Sequence, residues 1–177
     1  MDEIALNILD IAYNSIRAKA SSIQITIIDS VINNIIHIVI EDNGTGMDEA
    51  MVTQVSNPFY TTRTTRRVGL GIPLFKQSAE LTGGYLHIDS QINQGTRLEA
   101  QFIKNHIDTP MMGDIIETII TLIQADEKID YYFEYKTDDC DFQMNTKEMK
   151  EILGDVKMNE PEVLLWLKDY MKEGLGK

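Results

Sequence analysis

Apolar residues recur at three- and four-residue steps along the first twenty residues of the chain. Ile4 and Ile8 begin this pattern, which is typical of an amphipathic helix, and we predict one over residues 2–20. Two stretches rich in isoleucine, valine and threonine follow at 21–29 and 34–41. Their composition and the short turn between them predict two adjacent strands.

The next part of the chain predicts a second helix followed by a second pair of strands. Residues 48–68 show no clear period, and we expect a short helix and then a mobile loop there. A helix should begin near Ile72 and end before Gly83, because proline suits a first helical turn and glycine follows a last one. Strands at 85–91 and 96–103 should form a hairpin. This order favours helices on one face of a mixed sheet.

A change of composition at residues 104–110 separates this part from the rest of the chain. Beyond it we predict a helix at 113–124, strands at 129–136 and 141–144, and two short helices. Asn145 and Asn159, each with a glutamate three residues later, should cap the short helices, and Gly154 and Gly174 should end them. We therefore expect one domain at residues 1–105 and a small α+β element at 106–177.

The helix at 113–124 is apolar around more of its circumference than one amphipathic face requires. Its apolar side chains are Ile115, Ile116, Ile119, Ile120, Leu122 and Ile123. The last helix carries a second stripe, formed by Val163, Leu164, Leu167, Tyr170 and Met171. The two stripes could pack on each other and on the first domain. Alternatively, part of this surface serves a protein partner or a second copy of the chain.

The net charge, the lengths of the apolar runs and the cysteine count exclude or disfavour several classes of partner and site. The net charge is −12, from 16 Lys and Arg against 28 Asp and Glu, which disfavours DNA binding. No apolar run is long enough to span a membrane and the first residues are acidic, so we expect a cytoplasmic protein without membrane contact. The single cysteine, Cys140, excludes an internal disulfide and a cysteine-based zinc site. A metal ion would therefore need oxygen ligands.

Three features could carry chemistry, although each has an ordinary explanation. Asn7, Asp10, Asn14 and Arg17 share one face of the first helix, as they would on any solvated helix. The run 42–46 (DNGTG) follows an apolar strand and could be only a tight turn.

The third feature is a glycine pair. Gly69 and Gly71 open a helix, where unpaired N–H groups attract anions. This pattern is weak when it stands alone.

The order of these features resembles that of the GHKL ATPase superfamily, which includes sensor histidine kinases, MutL, Hsp90-type chaperones and gyrase. Residues 9–20 (LDIAYNSIRAKA) resemble the N-box, and 42–47 (DNGTGM) resemble the first glycine box. Residues 57–63 (NPFYTTR) and 68–74 (VGLGIPL) resemble the kinase lid and the second glycine box. Gly95-Thr96 resembles the last glycine box. The resemblance covers residues 1–103 and implies the Bergerat fold, an α/β (α+β) two-layer sandwich with a mixed sheet.

The resemblance also implies roles for single residues. Asn14 should hold Mg²⁺ through its amide oxygen, since Mg²⁺ needs few protein ligands when phosphates supply the others. Asp42 should accept a hydrogen bond from the adenine amine, which excludes guanine. Thr96 should approach adenine from the neighbouring strand, and Arg63 should contact the terminal phosphate unless it is simply exposed on the lid. The remaining expected nucleotide contacts are Gly44, Gly46, Met47, Gly69, Leu70 and Gly71.

Asp10 departs from the kinase pattern. It occupies the position where the hydrolases of the superfamily carry a glutamate as general base. The side chain of Asp10 is one methylene shorter than that of glutamate. Arg17 replaces an acidic residue usual in those hydrolases. We therefore expect an ATP- or ADP-binding protein that is a slow ATPase or a kinase acting on a partner. The alternatives are a regulatory module that responds to ATP without turnover and, disfavoured by charge, a MutL-like DNA-repair ATPase.

Overall fold

The computed structural model describes residues 3–57 and 70–177. The described residues form six helices and six strands. The helices are α1 (Ile4–Arg17), α2 (Glu49–Val55), α3 (Gly71–Leu81), α4 (Ile115–Ala125), α5 (Thr146–Leu153) and α6 (Pro161–Leu175). The strands are β1 (Ser22–Ser30), β2 (Ile35–Asp42), β3 (Tyr85–Gln91), β4 (Gly95–Ile103), β5 (Asp130–Thr137) and β6 (Asp141–Asn145).

The strands of the described residues form one mixed sheet in the order β3-β4-β2-β1-β5-β6. Neighbouring strands run antiparallel except β1 and β5, which are parallel. The mixed sheet and the α+β class predicted from the sequence are therefore confirmed. The expected loop between α2 and α3 lies outside the described residues.

One face of the sheet is apolar because side chains alternate along each strand. In β1 the side chains of Ile23, Ile25 and Ile27 are buried, whereas the residues between them are more exposed. Helices α1, α3, α4 and α6 belong to the same core. Within it the rings of Phe75 on α3 and Phe102 on β4 lie 5.3 Å apart. Helices thus cover one face of the sheet, as the periodicity indicates.

The opposite face of the sheet carries a polar network centred on Glu99. Its carboxylate accepts hydrogen bonds from His37 Nε2 at 3.0 Å, from the Tyr85 hydroxyl at 2.8 Å and from Arg97 Nη1 at 2.5 Å. The bonds from His37, Arg97 and Tyr85 lower the pKa of Glu99 to about 2, because all three favour its charged form. The network ties β2, β3 and β4 together from the side away from the helices.

The C-terminal strands extend the sheet of the N-terminal part. β5 pairs with β1 from Ser22↔Asp130 to Asp29↔Thr137. Helix α4 packs against both α1 and α6. All six apolar side chains expected to need burial on α4 are buried. The division of the chain at residue 105 stays a prediction about folding units, which truncation there would test.

Of the four predicted helix ends, two agree with the structure and two differ from it. Asn145 caps α5, accepting a hydrogen bond from the Lys147 N–H, and Gly154 ends this helix as predicted. α6 begins at Pro161 after Glu160, and no side chain caps it, so the prediction for Asn159 is wrong.

The expected end of the last helix is also wrong. Gly174 lies inside α6 and the helix ends before Gly176. A Cβ at position 174 would lie 2.1 Å from the Phe142 ring. Packing against β6, and not helix termination, therefore accounts for this glycine.

None of the helices among the described residues is long and apolar enough to cross a lipid bilayer.

Candidate functional site

The carboxylate of Asp42 is held in a fixed orientation at the end of β2. The Ser15 hydroxyl of α1 donates to Oδ2 at 2.5 Å, and the Gly44 N–H donates to Oδ1 at 2.8 Å. Ser15 is buried and Asp42 is half-buried. Each carboxylate oxygen has two lone pairs, so both can accept a further hydrogen bond. Asp42 is therefore an oriented acceptor between α1 and the sheet.

The turn after Asp42 packs so closely on its neighbours that two positions require glycine. A Cβ on Gly44 would lie 2.7 Å from the Ala18 carbonyl oxygen at the end of α1. Gly46 has a φ of +65°, and a Cβ there would lie 1.9 Å from the Gln91 carbonyl oxygen. The turn is thus wedged between α1 and the end of β3, and its backbone borders a cavity.

This inner cavity has a volume of about 410 Å³ and lies between α1, α2 and the ends of β2 and β4. Its apolar lining includes Ile11, Ile40, Met47, Met51, Val55, Ile72 and Leu98. Its polar lining includes Asn14, Asp42, Thr45 and Thr96. Apolar walls with a few oriented polar groups are typical of sites for flat organic rings.

Thr96 enters the inner cavity from the strand beside Asp42. The two residues are direct partners in the β2–β4 register. The Thr96 hydroxyl lies 2.9 Å from the Ser90 hydroxyl oxygen, which also accepts a hydrogen bond from the Met47 N–H at 2.8 Å. Ser90 therefore fixes the rim of the cavity on both sides, a role that no motif in the sequence indicates.

A larger outer groove adjoins the inner cavity. It has a volume of about 830 Å³ and lies between α1, α3 and the segment 107–111. Asn14 and Arg17 line both spaces. Asp10 lines only the groove, and a Cβ on Gly71 would lie 3.6 Å from its Oδ2. The start of α3 and the Asp10 carboxylate thus face each other across a narrow gap.

Asn14 and Arg17 are exposed at the junction of cavity and groove. Arg17 Nη1 lies 3.4 Å from Asn14 Oδ1, the oxygen expected to bind Mg²⁺. No cluster of three or more His, Cys, Asp or Glu side chains suited to a metal exists among the described residues. The donor set therefore fits Mg²⁺ only as an ion carried by phosphates, and Arg17 must move away from Asn14 to admit it.

The other expected residues divide into three groups. Leu70 and Gly71 line the outer groove, and Met47 lines the inner cavity. Arg63 and Gly69 lie outside the described residues. Asn7 shares the helix face but is buried, and its amide donates to the Glu3 carbonyl oxygen at 2.9 Å. This bond ties the Asn7 side chain to the start of α1, and Asn7 also lines the outer groove.

Sequence reasoning did not identify Ser15 as part of the site. Its position beside Asn14 suggests a buried helix residue, and it is 3% exposed. Only the packing of α1 on β2 brings its hydroxyl to Asp42, 27 residues away along the chain. Other tertiary contacts bring apolar side chains of α2 and α3, including Met51 and Ile72, to the cavity wall.

Comparison with known proteins agrees with this geometry. Residues 1–106 match the family model described as histidine kinase-, DNA gyrase B- and HSP90-like ATPase. Sensor histidine kinase YvrG of Bacillus subtilis is 32% identical over 95 residues, which cover 51% of this chain and 16% of that kinase. Sporulation kinase D of the same species is 29% identical over 97 residues, covering 55% and 19%. This chain thus spans less than a fifth of the length of either relative.

Two solved structures share the fold over most of the chain. The Aquifex aeolicus MutL ATPase domain complexed with ADP matches with a TM-score of 0.55 at 12% identity, covering 86% of this chain and 69% of that one. The N-terminal domain of a DNA repair protein matches with a TM-score of 0.51 at 13% identity, covering 81% and 51%. Both alignments exceed the 106 residues of the family match, so the shared fold continues into the C-terminal part.

Proposed function

Because this chain belongs to the family of histidine kinase-, DNA gyrase B- and HSP90-like ATPases, we propose that it binds ATP together with Mg²⁺ at the described cavity and groove. The inner cavity holds the adenine base and the outer groove receives the phosphates. One observation carries the proposal: the Asp42 carboxylate, oriented by Ser15 and Gly44, lines a cavity whose walls are mostly apolar.

The inner cavity suits adenine for two reasons. Its apolar side chains can cover both faces of a flat ring, which contributes roughly 25 cal/mol per Å² of apolar surface removed from water. Asp42 can only accept hydrogen bonds, so it pairs with the exocyclic amine of adenine and repels the O6 oxygen of guanine. Thr96 supplies a second polar group beside it. The site therefore selects adenine over guanine.

The outer groove suits the polyphosphate. Gly71 begins α3, an eleven-residue helix, and the first N–H groups of a helix have no partner within it. They can donate to phosphate oxygens, and the helix dipole adds attraction for an anion. Asn14 lies where groove and cavity meet and can offer its amide oxygen to Mg²⁺. A bound Mg²⁺ would neutralise phosphate charge.

Calorimetry on the Asp42→Asn variant tests the adenine assignment. The amide group introduces a donor and weakens the acceptor, so ATP affinity should fall about 10- to 100-fold. Asp48→Asn is the matched control, because Asp48 is an exposed carboxylate that caps α2 and asparagine caps a helix equally well. ATP affinity that is the same in the wild type and Asp42→Asn would refute the assignment. Binding of GTP as tightly as ATP would also contradict it.

Two uses of the γ-phosphate are open to this site, and one observation favours hydrolysis. Asp10 is exposed in the outer groove beside the start of α3, where a carboxylate can deprotonate an attacking water. The groove is also wide enough for an acceptor side chain of a partner protein, which would make the chain a kinase. Phosphate release by the isolated chain supports hydrolysis. Turnover that appears only with a partner supports transfer.

A regulatory module without turnover is the remaining alternative. It predicts tight ATP binding with no phosphate release and no labelled partner. The net charge of −12 disfavours duplex DNA as a partner, so the fold shared with the MutL ATPase domain does not by itself favour a role in DNA repair.

A further inference from the structure

The two edges of the sheet differ in how they are protected. At one edge, helix α2 lies against β3. At the other edge, β6 is the last strand of the sheet among the described residues. Natural proteins protect such edges with short strands, charged side chains, prolines, bulges or covering elements. The five residues 141–145 (DFQMN) carry one charge, on Asp141, contain no proline, and their register with β5 has no bulge. The backbone of β6 is therefore ready to pair.

The direction of the unpaired backbone groups follows from the turn before β6. The Thr137 N–H donates to the Cys140 carbonyl oxygen, so these two residues form a hydrogen-bonded pair. Hydrogen-bonded and non-hydrogen-bonded pairs alternate along antiparallel strands. Phe142 and Met144 consequently bond to β5, whereas the N–H groups of Asp141 and Gln143 point away from the sheet.

The sequence of β6 is complementary to itself in antiparallel orientation. With a two-fold axis at Gln143, this residue faces its own copy, and two amide side chains can exchange hydrogen bonds. Asp141 of each copy then faces Asn145 of the other, so that a carboxylate meets an amide donor. No like charges stand opposite each other in this register, although each chain has a net charge of −12.

An exposed aromatic pair continues this edge on the helix side. The Tyr170 ring on α6 lies 5.5 Å from the buried Phe142 ring, and the Trp166 ring stacks on Tyr170 at 5.4 Å. Trp166 is 52% exposed and Tyr170 is 37% exposed. Trp and Tyr, together with Arg, are enriched among the residues that contribute most to binding at protein interfaces. The three rings thus form an apolar strip from the core to the surface beside β6.

We propose that β6 pairs with β6 of a second copy of this chain, forming a two-fold dimer with a continuous twelve-stranded sheet. The outward backbone groups of β6 supply the ladder, and Trp166 and Tyr170 of both copies cover it from the helix side. This surface lies at the far edge of the sheet from the nucleotide site, so the proposal stands independently of the proposed function.

A proline at position 143 tests the ladder without breaking the fold. Because the Gln143 N–H points outward, Gln143→Pro removes a donor needed by the second copy and leaves the backbone hydrogen bonds between β5 and β6 intact. It also removes the side-chain bond from Gln143 to Glu134, and the threonine variant below removes that bond equally. Light scattering over a range of concentrations should show a dimer for the wild type and at least tenfold weaker dimerisation for Gln143→Pro. Gln143→Thr retains the N–H and should remain dimeric. Thermal melting should show that both variants are folded.

Cross-linking tests the register. Cys140→Ser removes the single cysteine. In this background Gln143→Cys introduces one thiol in each copy, at two facing positions whose Cα atoms lie about 5.5 Å apart. A short bis-maleimide should join them. Asp139→Cys is the matched control. In this register position 139 of one copy faces position 147 of the other, so the two introduced cysteines lie eight residues apart, roughly 25 Å. They should not cross-link.

The emission of the only tryptophan provides a third readout. Dimerisation should bury Trp166 and shift its emission to the blue as the concentration rises. A chain that is monomeric at every concentration would overturn the proposal. A dimer that Gln143→Pro leaves unchanged, or that cross-links through Asp139→Cys as well as through Gln143→Cys, would overturn it equally.

Discussion

The inner cavity and the outer groove share Asn14 and Arg17 but are built differently. The inner cavity is formed by strand ends and by backbone segments in such close contact that side chains are excluded at Gly44 and Gly46. The outer groove is lined by exposed side chains, among them Asp10. The cavity is thus formed before a ligand arrives, whereas the polar groups of the groove can still move. We infer that the fold fixes the position of the base, whereas the side chains around the terminal phosphate can change position.

This contrast makes different predictions for substitutions at the two places. Changes in the groove should alter turnover with little effect on folding. Changes in the cavity should alter binding and folding together.

The largest effect should come from Asp10→Asn. If Asp10 is the general base, the amide variant should hydrolyse ATP about 10²- to 10⁴-fold more slowly, with ATP affinity nearly unchanged. Phosphate release and calorimetry would measure the two quantities. Asp108→Asn is the control, because this carboxylate lines another wall of the groove and should have no comparable effect. Equal rates in wild type and Asp10→Asn would assign the base elsewhere.

Gly46→Ala should produce the next largest effect, and on stability. The added methyl would overlap the Gln91 carbonyl oxygen and force alanine into a φ of +65°, which should cost roughly 3 kcal/mol of unfolding free energy. ATP binding should weaken with it.

Gly176→Ala separates the two contributions. Gly176 is left-handed with a φ of +66°, but nothing lies within 4 Å of its Cβ position, so only the backbone strain of about 1 kcal/mol remains. Denaturant unfolding of both variants measures the difference. Similar losses would show that the close contact at Gly46 adds nothing.

Glu99→Gln should reduce stability without affecting nucleotide binding, because the Glu99 network lies on the other face of the sheet from the cavity. The folded-state pKa of about 2 lies below the ordinary value of 4.5. Glu99 therefore stabilises the fold fully above about pH 5, by roughly 1–3 kcal/mol after solvent screening, and this contribution disappears as the pH falls from about 4.5 to 2.

Unfolding at several pH values measures this contribution. The stability difference between wild type and Glu99→Gln should be constant near neutral pH and shrink in acid. Glu41→Gln, on the same face but more exposed, should show a smaller difference. Weaker ATP binding by Glu99→Gln at neutral pH would mean that the two faces of the sheet are coupled.

The smallest effect should come from Arg17→Ala. Removing the cation that lies 3.4 Å from Asn14 Oδ1 should raise the Mg²⁺-dependent part of ATP affinity about two- to fivefold. Titration of ATP binding against Mg²⁺ measures it, with the exposed Lys19→Ala as control. The opposite sign, weaker ATP binding at every Mg²⁺ concentration, would show that Arg17 binds the nucleotide itself.

Local patterns determined most of the secondary structure. The predicted bounds of β3 at 85–91 are those observed, and the other predicted strands differ by one or two residues. Period and turn chemistry are properties of neighbouring residues, so a sequence states them directly. The ordered glycine boxes also indicated the family, because close backbone contacts demand glycine at fixed places along the chain. Asp42 and Thr96 were expected in one site, and the β2–β4 register makes them neighbours.

Tertiary structure decided what depends on residues far apart along the chain. It placed the Ser15 hydroxyl on Asp42 and joined β5 to β1. It also gave Gly174 a packing role inside α6, where the sequence suggested a helix end. In each case the deciding term is contact between elements, since a hydrogen bond or a packed ring forms only once two distant segments have been brought together. The sequence by itself therefore determined the elements and the kind of site, and the packing of α1 on the sheet decided how that site is oriented.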